Sequence, residues 1–135
     1  MKIVLDHGAI MPERAHETDA GLDLFTPGTV LLKGKTRKAI DTGVHVQIPA
    51  GFVGLLTSKS GLMARGVTSS GTIDSGYTGS IKAVLYNHSE VPVIFERGQK
   101  ITQLVLLPIL TPELEVVDVL EDTDRGDGGF GSTGV

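Results

Sequence analysis

The amino-acid sequence predicts an all-β fold, either a sandwich or a barrel. Apolar and polar residues alternate over several short runs, and turn-forming residues separate these runs. Helical periodicity is almost absent. Glycine accounts for 18 of the 135 residues, about twice its usual share. Several short strands at close spacing are typical of sandwiches and barrels.

The predicted strands follow one another along most of the chain. In residues 44–48 the apolar residues alternate with His45 and Gln47, and Pro49-Ala50-Gly51 ends the run. Residues 81–86 alternate in the same way, and Asn87-His88-Ser89 ends them. The other predicted strands are short apolar runs bounded by turn residues: Val30–Leu32, 52–56, 91–95, 101–107 and 114–120.

One short helix is predicted, over residues 61–65. Gly66 follows it, and glycine is typical of the position just after a helix because it readily adopts a left-handed backbone conformation.

Length, charge and composition exclude several classes of protein. The length fits one domain, and a core this small gains from oligomerisation. No cysteine is present, which excludes disulfides, thiolate zinc sites and a cysteine nucleophile. The net charge is −4, without a block of basic residues, so we expect no nucleic-acid binding. No apolar run approaches a membrane span, and the first residues are too polar for a signal peptide. We therefore expect a cytoplasmic protein without a membrane partner.

The four histidines do not suggest a metal site. His7, His16, His45 and His88 lack the spacing of metal ligands. We interpret them as surface residues.

Two clusters place a carboxylate in a distinctive setting. In Ala20-Gly21-Leu22-Asp23-Leu24, Asp23 on a strand faces opposite to its apolar neighbours, and the simplest interpretation is a surface aspartate. Residues 71–80 contain Asp74-Ser75-Gly76, which is typical of a β-hairpin turn. Alternatively, Asp74 is a base that deprotonates water, and Tyr77 lies against a sugar ring.

Two further clusters carry cations, hydroxyls and an amide. Thr57-Ser58-Lys59-Ser60-Gly61 is either an anion site at the start of the short helix or an ordinary capped loop. Residues 97–104 form a turn followed by a strand, with Gln103 on the exposed face.

The last segment, residues 121–135, has no strand pattern and is rich in glycine. Such a composition is typical of a disordered tail. Alternatively, Arg125, Phe130 and the hydroxyls of Ser132 and Thr133 form a flexible lid that closes over the phosphates and base of a nucleotide.

Taken together and in this order, the five clusters resemble the motifs of the homotrimeric dUTPase family (deoxyuridine 5′-triphosphate nucleotidohydrolases). The resemblance runs from about residue 17 to residue 134. The third and fifth motifs are the most specific. In chain order the motifs resemble residues 20–24, 58–62, 71–79, 98–104 and 125–134.

The resemblance implies a jelly-roll-like β-barrel over residues 1–120 and a flexible Gly-rich arm over residues 121–135. It also implies a homotrimer with shared active sites. One subunit supplies motifs one, two and four, a second supplies motif three, and a third lends its arm.

The resemblance further implies a reaction: hydrolysis of dUTP to dUMP and pyrophosphate, with Mg²⁺ on the triphosphate. Water attacks the α-phosphorus. The product dUMP supplies dTMP synthesis, and removal of dUTP keeps uracil out of DNA. The implied setting is the cytoplasm of a bacterium, or of the host cell if a phage encodes the protein.

Residue roles follow from the same resemblance. Asp74 activates the water, Gln103 positions water or phosphate, and Asp23 reaches Mg²⁺ through coordinated water. Tyr77 packs on the deoxyribose, and Phe130 stacks on uracil. The implied phosphate-binding residues are Lys59, Ser60, Gly61, Arg125, Gly131, Ser132 and Thr133. Those implied to read the uracil edge are Thr68, Thr72, Ile73 and Lys82.

The chain departs from the family pattern at four positions. Lys59 replaces an arginine, which keeps the charge but loses the bidentate fork. Thr68 replaces an asparagine that contacts uracil, so main-chain groups carry more of the base recognition. Thr78 and Ser80 replace an arginine and a glutamate of motif three.

The two alternatives to a dUTPase are a dCTP deaminase and a non-enzymatic regulator. A dCTP deaminase shares the fold and motif three, but this chain has Val84 where that family places its catalytic glutamate. A non-enzymatic regulator that binds a protein partner has little need of Asp74, Tyr77 and the arm together. We therefore expect an enzyme.

Overall fold

Ten β-strands and one short helix form the fold in the computed structural model, which describes residues 1–130 and 134. The all-β prediction is confirmed, and the curled antiparallel sheet is jelly-roll-like. The elements are β1 (Lys2–Leu5), β2 (Leu22–Phe25), β3 (Val30–Leu32), β4 (Arg37–Asp41), β5 (Val44–Gln47), β6 (Phe52–Thr57), α1 (Ser60–Met63), β7 (Val67–Ile73), β8 (Lys82–Asn87), β9 (Val93–Phe95) and β10 (Lys100–Pro108).

Strand β10 lies between β2 and β6 in a six-stranded sheet with the order β2-β10-β6-β7-β8-β4. Both neighbours are antiparallel to it, and Gln103 lies opposite Asp23 on one side and Thr57 on the other. Two smaller sheets, β1-β5 and β3-β9, complete the fold. Strand β10 therefore determines which residues of β2 and β6 lie close together.

The core consists of two clusters of buried apolar side chains. Burial alternates along the strands, as the period-two pattern predicts, so that Val44 and Val46 of β5 are buried and Gln47 is exposed. The first cluster contains Leu24, Val44, Val46, Ile48, Leu56, Ile73, Ile81 and Leu104. The second contains Leu32, Ile40, Val67, Ala83, Leu85, Val93, Phe95 and Ile101.

Most predicted elements are confirmed. Strand β3 has the predicted bounds, and β5, β6, β8, β9 and β10 lie within two residues of theirs. Helix α1 is confirmed, and Gly66 has a positive φ of 79° shortly after it. Strands β1 and β4 are not among the predicted elements, β2 is the strand considered for Asp23, and β7 is predicted only as one arm of the hairpin at residues 71–80. Four of the five residues of β4 are exposed, so no apolar alternation marks it.

The strand predicted over residues 114–120 is wrong. Strand β10 ends at Pro108, and no helix or strand forms over residues 109–130. Leu114, Val116 and Leu120 are exposed, so no neighbouring strand covers them. Apolar alternation favours a strand only where a pairing partner is available.

The described part of the chain contains no helix long and apolar enough to cross a membrane.

Leu104 provides a test of this core. Leu104→Ala should lower the free energy of unfolding by about 2–5 kcal/mol, because the side chain is buried and leaves a cavity. Leu107→Ala lies on the same strand and is 43% exposed, so we expect a change of about 0.5 kcal/mol or less. Guanidinium denaturation at one protein concentration measures both. Equal losses would contradict the assigned core.

Candidate active site

Three sequence clusters meet on three neighbouring strands. Asp23 on β2 lies opposite Gln103 on β10, and Gln103 lies opposite Thr57 at the end of β6. Lys59 follows two residues after Thr57, directly before α1. Neighbouring strands are about 4.8 Å apart, so the structure brings motifs one, two and four into one small region.

Asp23 is the most buried charged residue of this region. It is 2% exposed, so the interpretation as a surface aspartate is wrong. Lys59 Nζ contacts its Oδ1, and Lys100 Nζ lies 2.8 Å from its Oδ2. Burial acts to raise the pKa of Asp23, but hydrogen bonds and charge from Lys100 and Lys59 outweigh it and lower the pKa. Asp23 therefore remains a carboxylate held by two cations.

Lys100 adds a second carboxylate to this network. Its Nζ lies 3.2 Å from Glu13 Oε1, and the hydrogen bonds that it donates to Asp23 and Glu13 raise the pKa of Lys100. Lys100 is a residue that the sequence analysis did not select. The one indication of its role in the sequence is its place three residues before Gln103 on the same strand.

Gln103 is held close to motif one by a glycine. Its Nε2 donates to Ser58 O at 3.3 Å. A Cβ at Gly21 would lie only 2.2 Å from Gln103 Oε1. Glycine at position 21 therefore permits the side-chain amide to lie across the start of β2.

Buried hydroxyls fix the end of β6, from which Lys59 extends. Ser58 Oγ donates to Ser69 O at 3.0 Å and accepts from Ser69 N at 2.9 Å. Thr102 Oγ1 donates to Thr57 O at 3.0 Å. Ser60 and Gly61 follow at the exposed start of α1. This places exposed hydroxyl and main-chain groups beside the Lys59 ammonium.

Motif three lies elsewhere on the same chain. Ser70 of β7 lies opposite Thr57, and Gly54 lies opposite Ile73, the last residue of β7. Asp74 thus follows Ser70 by four residues, roughly 13 Å along the strand at about 3.3 Å per residue. A single chain does not bring Asp74 beside Gln103.

The predicted hairpin of motif three is formed by β7 and β8, joined by residues 74–81. Tyr77 folds back over this loop, where its hydroxyl donates to Ser80 O at 2.9 Å. A Cβ at Gly79 would lie 2.5 Å from the Tyr77 hydroxyl oxygen. Glycine at position 79 therefore makes room for the tyrosine ring, which remains 42% exposed.

Strands β7 and β8 pair over only part of their length. Their ladder runs from Val67 opposite Asn87 to Ser69 opposite Leu85. Beyond it, β7 pairs with β6 and β8 pairs with β4. Thr72 and Lys82 therefore lie on strands that diverge from each other. Thr68 lies at the closed end, with its hydroxyl 2.8 Å from His88 Nε2.

The described part of the C-terminal segment does not pack on this site. Arg125 Nε donates to Gly128 O at 3.0 Å within its own turn. Phe130 is fully exposed. Gly131, Ser132 and Thr133 lie outside the described residues.

The described residues contain no group of three or more metal-ligating side chains. Three of the histidines are exposed, whereas His45 is partly buried and makes two polar contacts. Asp23 is the carboxylate nearest to Lys59 and Gln103. Mg²⁺ retains waters and uses few protein ligands when it binds with substrate phosphates. One carboxylate therefore fits an ion carried by a triphosphate.

The fold and these side chains define an all-β protein in which a buried carboxylate, two lysines and an amide meet beside neighbouring strands. The family model described as dUTPase matches residues 7–134. The chain therefore belongs to the dUTPase family of nucleotide hydrolases and is an enzyme.

Curated relatives span nearly the whole chain. The deoxyuridine 5′-triphosphate nucleotidohydrolase of Clostridium kluyveri is 47% identical over 130 residues, covering 93% of this chain and 91% of the relative. The enzyme of that name from Paramecium bursaria Chlorella virus 1 is 42% identical over 133 residues, covering 97% and 94%.

Solved structures of dUTPases are also similar to this chain over most of its length. The dUTPase of Staphylococcus bacteriophage 80alpha, solved with dUpNHpp, has a TM-score of 0.93 at 36% identity and covers 99% of this chain and 98% of that chain. A variant of the dUTPase from phage phi11 of S. aureus has a TM-score of 0.83 at 34% identity, covering 90% and 98%. That structure is described as showing the coordination of a structural Mg(II) ion.

Asp23 provides a test of the charged network. Its lowered pKa means that its pairing stabilises the fold above the usual carboxyl pKa of about 4. This stabilisation is lost as the pH falls through the lower folded-state pKa. At neutral pH, Asp23→Asn should lower the free energy of unfolding by about 1–3 kcal/mol, and the difference from wild type should shrink in acid.

Glu13→Gln is the matched control for Asp23→Asn. Glu13 also pairs with Lys100, but its side chain is 57% exposed, so we expect a loss of about 1 kcal/mol or less. Denaturation at several pH values measures both variants. Equal losses, or a loss at Asp23 that does not depend on pH, would contradict the assigned network.

Proposed function

We propose that this chain hydrolyses dUTP to dUMP and pyrophosphate, with Mg²⁺ on the triphosphate. The observation that carries the proposal is the meeting of Asp23 on β2, Gln103 on β10 and Lys59 just after β6. A cation, a carboxylate and an amide at one place suit a polyanion that carries a divalent metal. Family membership supports the choice of dUTP.

The phosphates bind at the start of α1 in this proposal. Lys59 is partly exposed while it contacts Asp23, so its ammonium can also face a phosphate oxygen. The Ser60 hydroxyl and the Gly61 main chain lie beside it and donate further hydrogen bonds. Lysine supplies a point charge where the family pattern has an arginine fork. Orientation of the phosphates therefore depends on the neighbouring donors.

Asp23 reaches the metal through water rather than directly. Each of its oxygens already contacts a lysine, which leaves outer lone pairs for water but disfavours direct ligation. Mg²⁺, when bound with the triphosphate, neutralises charge on the phosphate oxygens. Asp23 and the two lysines orient the metal-bound waters on their side of the triphosphate.

The base and sugar bind at the hairpin of motif three. A planar base with donors and acceptors on its edge suits the space where β7 and β8 diverge, because their facing main-chain groups no longer pair with each other. The main chain at Thr72, Ile73 and Lys82 reads uracil there, and Thr68 lies at the closed end. Tyr77, fixed on its loop by Ser80, packs on the deoxyribose and excludes a 2′-hydroxyl.

A complete site requires more than one subunit in this proposal. Asp74 lies roughly 13 Å along the sheet from the row that contains Gln103, so another copy must supply it. A homotrimer with shared sites meets this requirement. Residues 1–120 form the barrel of each subunit, and residues 121–135 form its arm. Phe130 is fully exposed and is free to stack on uracil, with Arg125, Gly131, Ser132 and Thr133 on the phosphates.

Asp74 and Gln103 act on the water that attacks the α-phosphorus. The Asp74 carboxylate accepts the water's proton while the new oxygen–phosphorus bond forms. The bond from the α-phosphorus to the bridging oxygen breaks, and pyrophosphate leaves. Gln103, held by Ser58, donates to the water or to a phosphate oxygen. We place this reaction in the cytoplasm, where it supplies dUMP and keeps uracil out of DNA.

Asp74→Asn tests the proposed base. It should lower kcat for dUTP by about 10²–10⁴-fold, because an amide does not accept the water's proton, and it should leave the fold and the assembly unchanged. Asp118→Asn, in the exposed C-terminal segment, is the matched control and should retain full activity. Pyrophosphate release, thermal denaturation and light scattering measure these outcomes.

The substrate is tested in the same assay by comparing dUTP, dTTP, dCTP and UTP with Mg²⁺. We expect hydrolysis of dUTP to exceed that of the other three. Absence of pyrophosphate release from dUTP by the wild type would overturn the proposal. Release of ammonia from dCTP would instead indicate a deaminase.

Phe130→Ala tests the arm. Loss of a base–aromatic stack costs about 1–3 kcal/mol, so kcat/KM should fall by about fivefold or more, and deletion of residues 125–135 should have a larger effect. Leu120→Ala removes an apolar side chain that is also exposed, at 83%, and should have little effect. The thermal midpoint should remain unchanged in all three. Unchanged kinetics after the deletion would show that the arm is only a tail.

A further inference from the structure

His45 lies outside the proposed machinery but contacts the loop that carries it. The ring projects from β5, and its Nδ1 lies 2.8 Å from Thr78 O. Its Nε2 lies 3.2 Å from Asp6 Oδ1, beyond the end of β1. The side chain is 27% exposed, so solvent protons reach it. His45 therefore connects the β1-β5 sheet to the loop over residues 74–81.

The chemistry of these two contacts determines the state of the ring. A main-chain carbonyl and a carboxylate both accept hydrogen bonds, so each ring nitrogen must carry a proton to satisfy both. Only the imidazolium does so. The hydrogen bond to Thr78 and the one to Asp6 accordingly raise the pKa of His45. Loss of one proton must break one of the two contacts.

Thr78 occupies a central position in this loop. Tyr77 precedes it, and the Tyr77 hydroxyl donates to Ser80 O at 2.9 Å. The Tyr77 N–H also donates to Asp74 O at 3.0 Å. On the other side, the Ser80 hydroxyl donates to Asp41 Oδ1. His45 and Asp41 therefore hold the same loop from the corner between β4 and β5.

We propose that His45 is a positioning residue for Asp74 and Tyr77, because its Nδ1–H fixes Thr78 O while Asp6 fixes its other nitrogen. The inference rests on the proposed function, which assigns the water to Asp74 and the sugar to Tyr77. His45 is not among the residues to which the proposed function assigns the substrate or the attacking water. Its protonation sets how firmly the loop is held.

The two carboxylates near His45 favour its protonated form, and two lysines lie farther out. Asp6 contacts the ring, and Asp41, at the end of β4, acts on it through space. Lys82, at the start of β8, acts on Asp41, and Lys2 lines the same cavity as His45 on the neighbouring strand. A hydrogen bond to a carboxylate is stronger than one to a neutral carbonyl, so a ring that loses one proton keeps the other on Nε2, toward Asp6, and releases Thr78 O. Since the folded-state pKa is raised, the contact to Thr78 is intact at low pH and is lost as the pH rises through that pKa.

The test compares wild type with two variants. In His45→Gln, the glutamine amide keeps a donor near the Nε2 position but loses the donor to Thr78. In His45→Asn, the asparagine amide keeps a donor near the Nδ1 position, and this donor does not titrate. At about pH 6, His45→Gln should lower kcat/KM for dUTP roughly threefold to tenfold, as expected for one hydrogen bond. The deficit should vanish above the pKa of His45. His45→Asn should restore activity and remove the pH dependence.

His16→Gln is the matched control. His16 also pairs with a carboxylate, Asp19, at 3.1 Å, but it does not contact the loop, so its pH profile should match that of wild type. A ratio of wild type to His45→Gln that stays constant with pH would overturn the proposal, since a purely structural loss does not follow the protonation of His45.

A second measurement does not depend on catalysis. In nitrogen-15 spectra recorded between about pH 5.5 and 8.5, a range that brackets the usual histidine pKa, the amide signals of Thr78, Gly79 and Ser80 should titrate with the His45 ring. They should not do so in His45→Gln. If wild type fails to hydrolyse dUTP, the proposed function fails, and these spectra still decide whether His45 holds the loop. Amide signals that do not follow the ring would overturn the inference.

Discussion

The antiparallel register of β10 between β2 and β6 is the constraint on which the site depends. Gln103 lies opposite Asp23 on one side and opposite Thr57 on the other, so three parts of the sequence far apart along the chain become neighbours. A slip of one residue would turn every side chain of β10 to the other face. Leu104 would then leave the core, and Gln103 would enter it. Burial of Leu104 therefore fixes the register that positions Gln103, and the stability of the fold and the geometry of the site have the same origin.

Asp23 shows how this arrangement controls charge. A buried carboxylate without partners is unfavourable, but two lysines approach it from β10 and from the loop before α1. Asp23 and its two lysines together carry one positive charge, which favours an anionic ligand, and Glu13 offsets that charge at the exposed edge. The same contacts restrain two flexible cations before any ligand arrives. Such restraint reduces the entropy lost on binding. Glu13 extends the network at its exposed edge, where solvent weakens its contribution.

The fold class and most strands follow from the alternation of apolar residues, because a sheet that covers a core on one face imposes a period of two. Strand β4 was not predicted, because its exposed Arg37 and Lys38 interrupt the alternation of apolar residues. It forms because it pairs with β8. The segment over residues 114–120 has the pattern but no partner strand. Among the site residues, Asp23, Lys59 and Gln103 are brought together. The ion pairs of Asp23 with Lys59 and Lys100 were not predictable. Nothing in the sequence distinguishes Lys100 from other strand residues, and the burial of Asp23 depends on contacts between distant segments.

The distance between Asp74 and Gln103 explains why the proposed reaction needs more than one copy of the chain. Gln103 lies near the start of β10, whereas Asp74 follows the end of β7, on the other side of β6, and the two are roughly 13 Å apart along the strand direction. The proposed trimer closes it with a second copy, so that catalysis requires assembly. In that proposal the placement of the motif-three loop matters beyond its own subunit, because Asp74 would act at a neighbour's site. The contacts of His45 and Asp41 with this loop would then fix, within one chain, the position of a base that another chain uses.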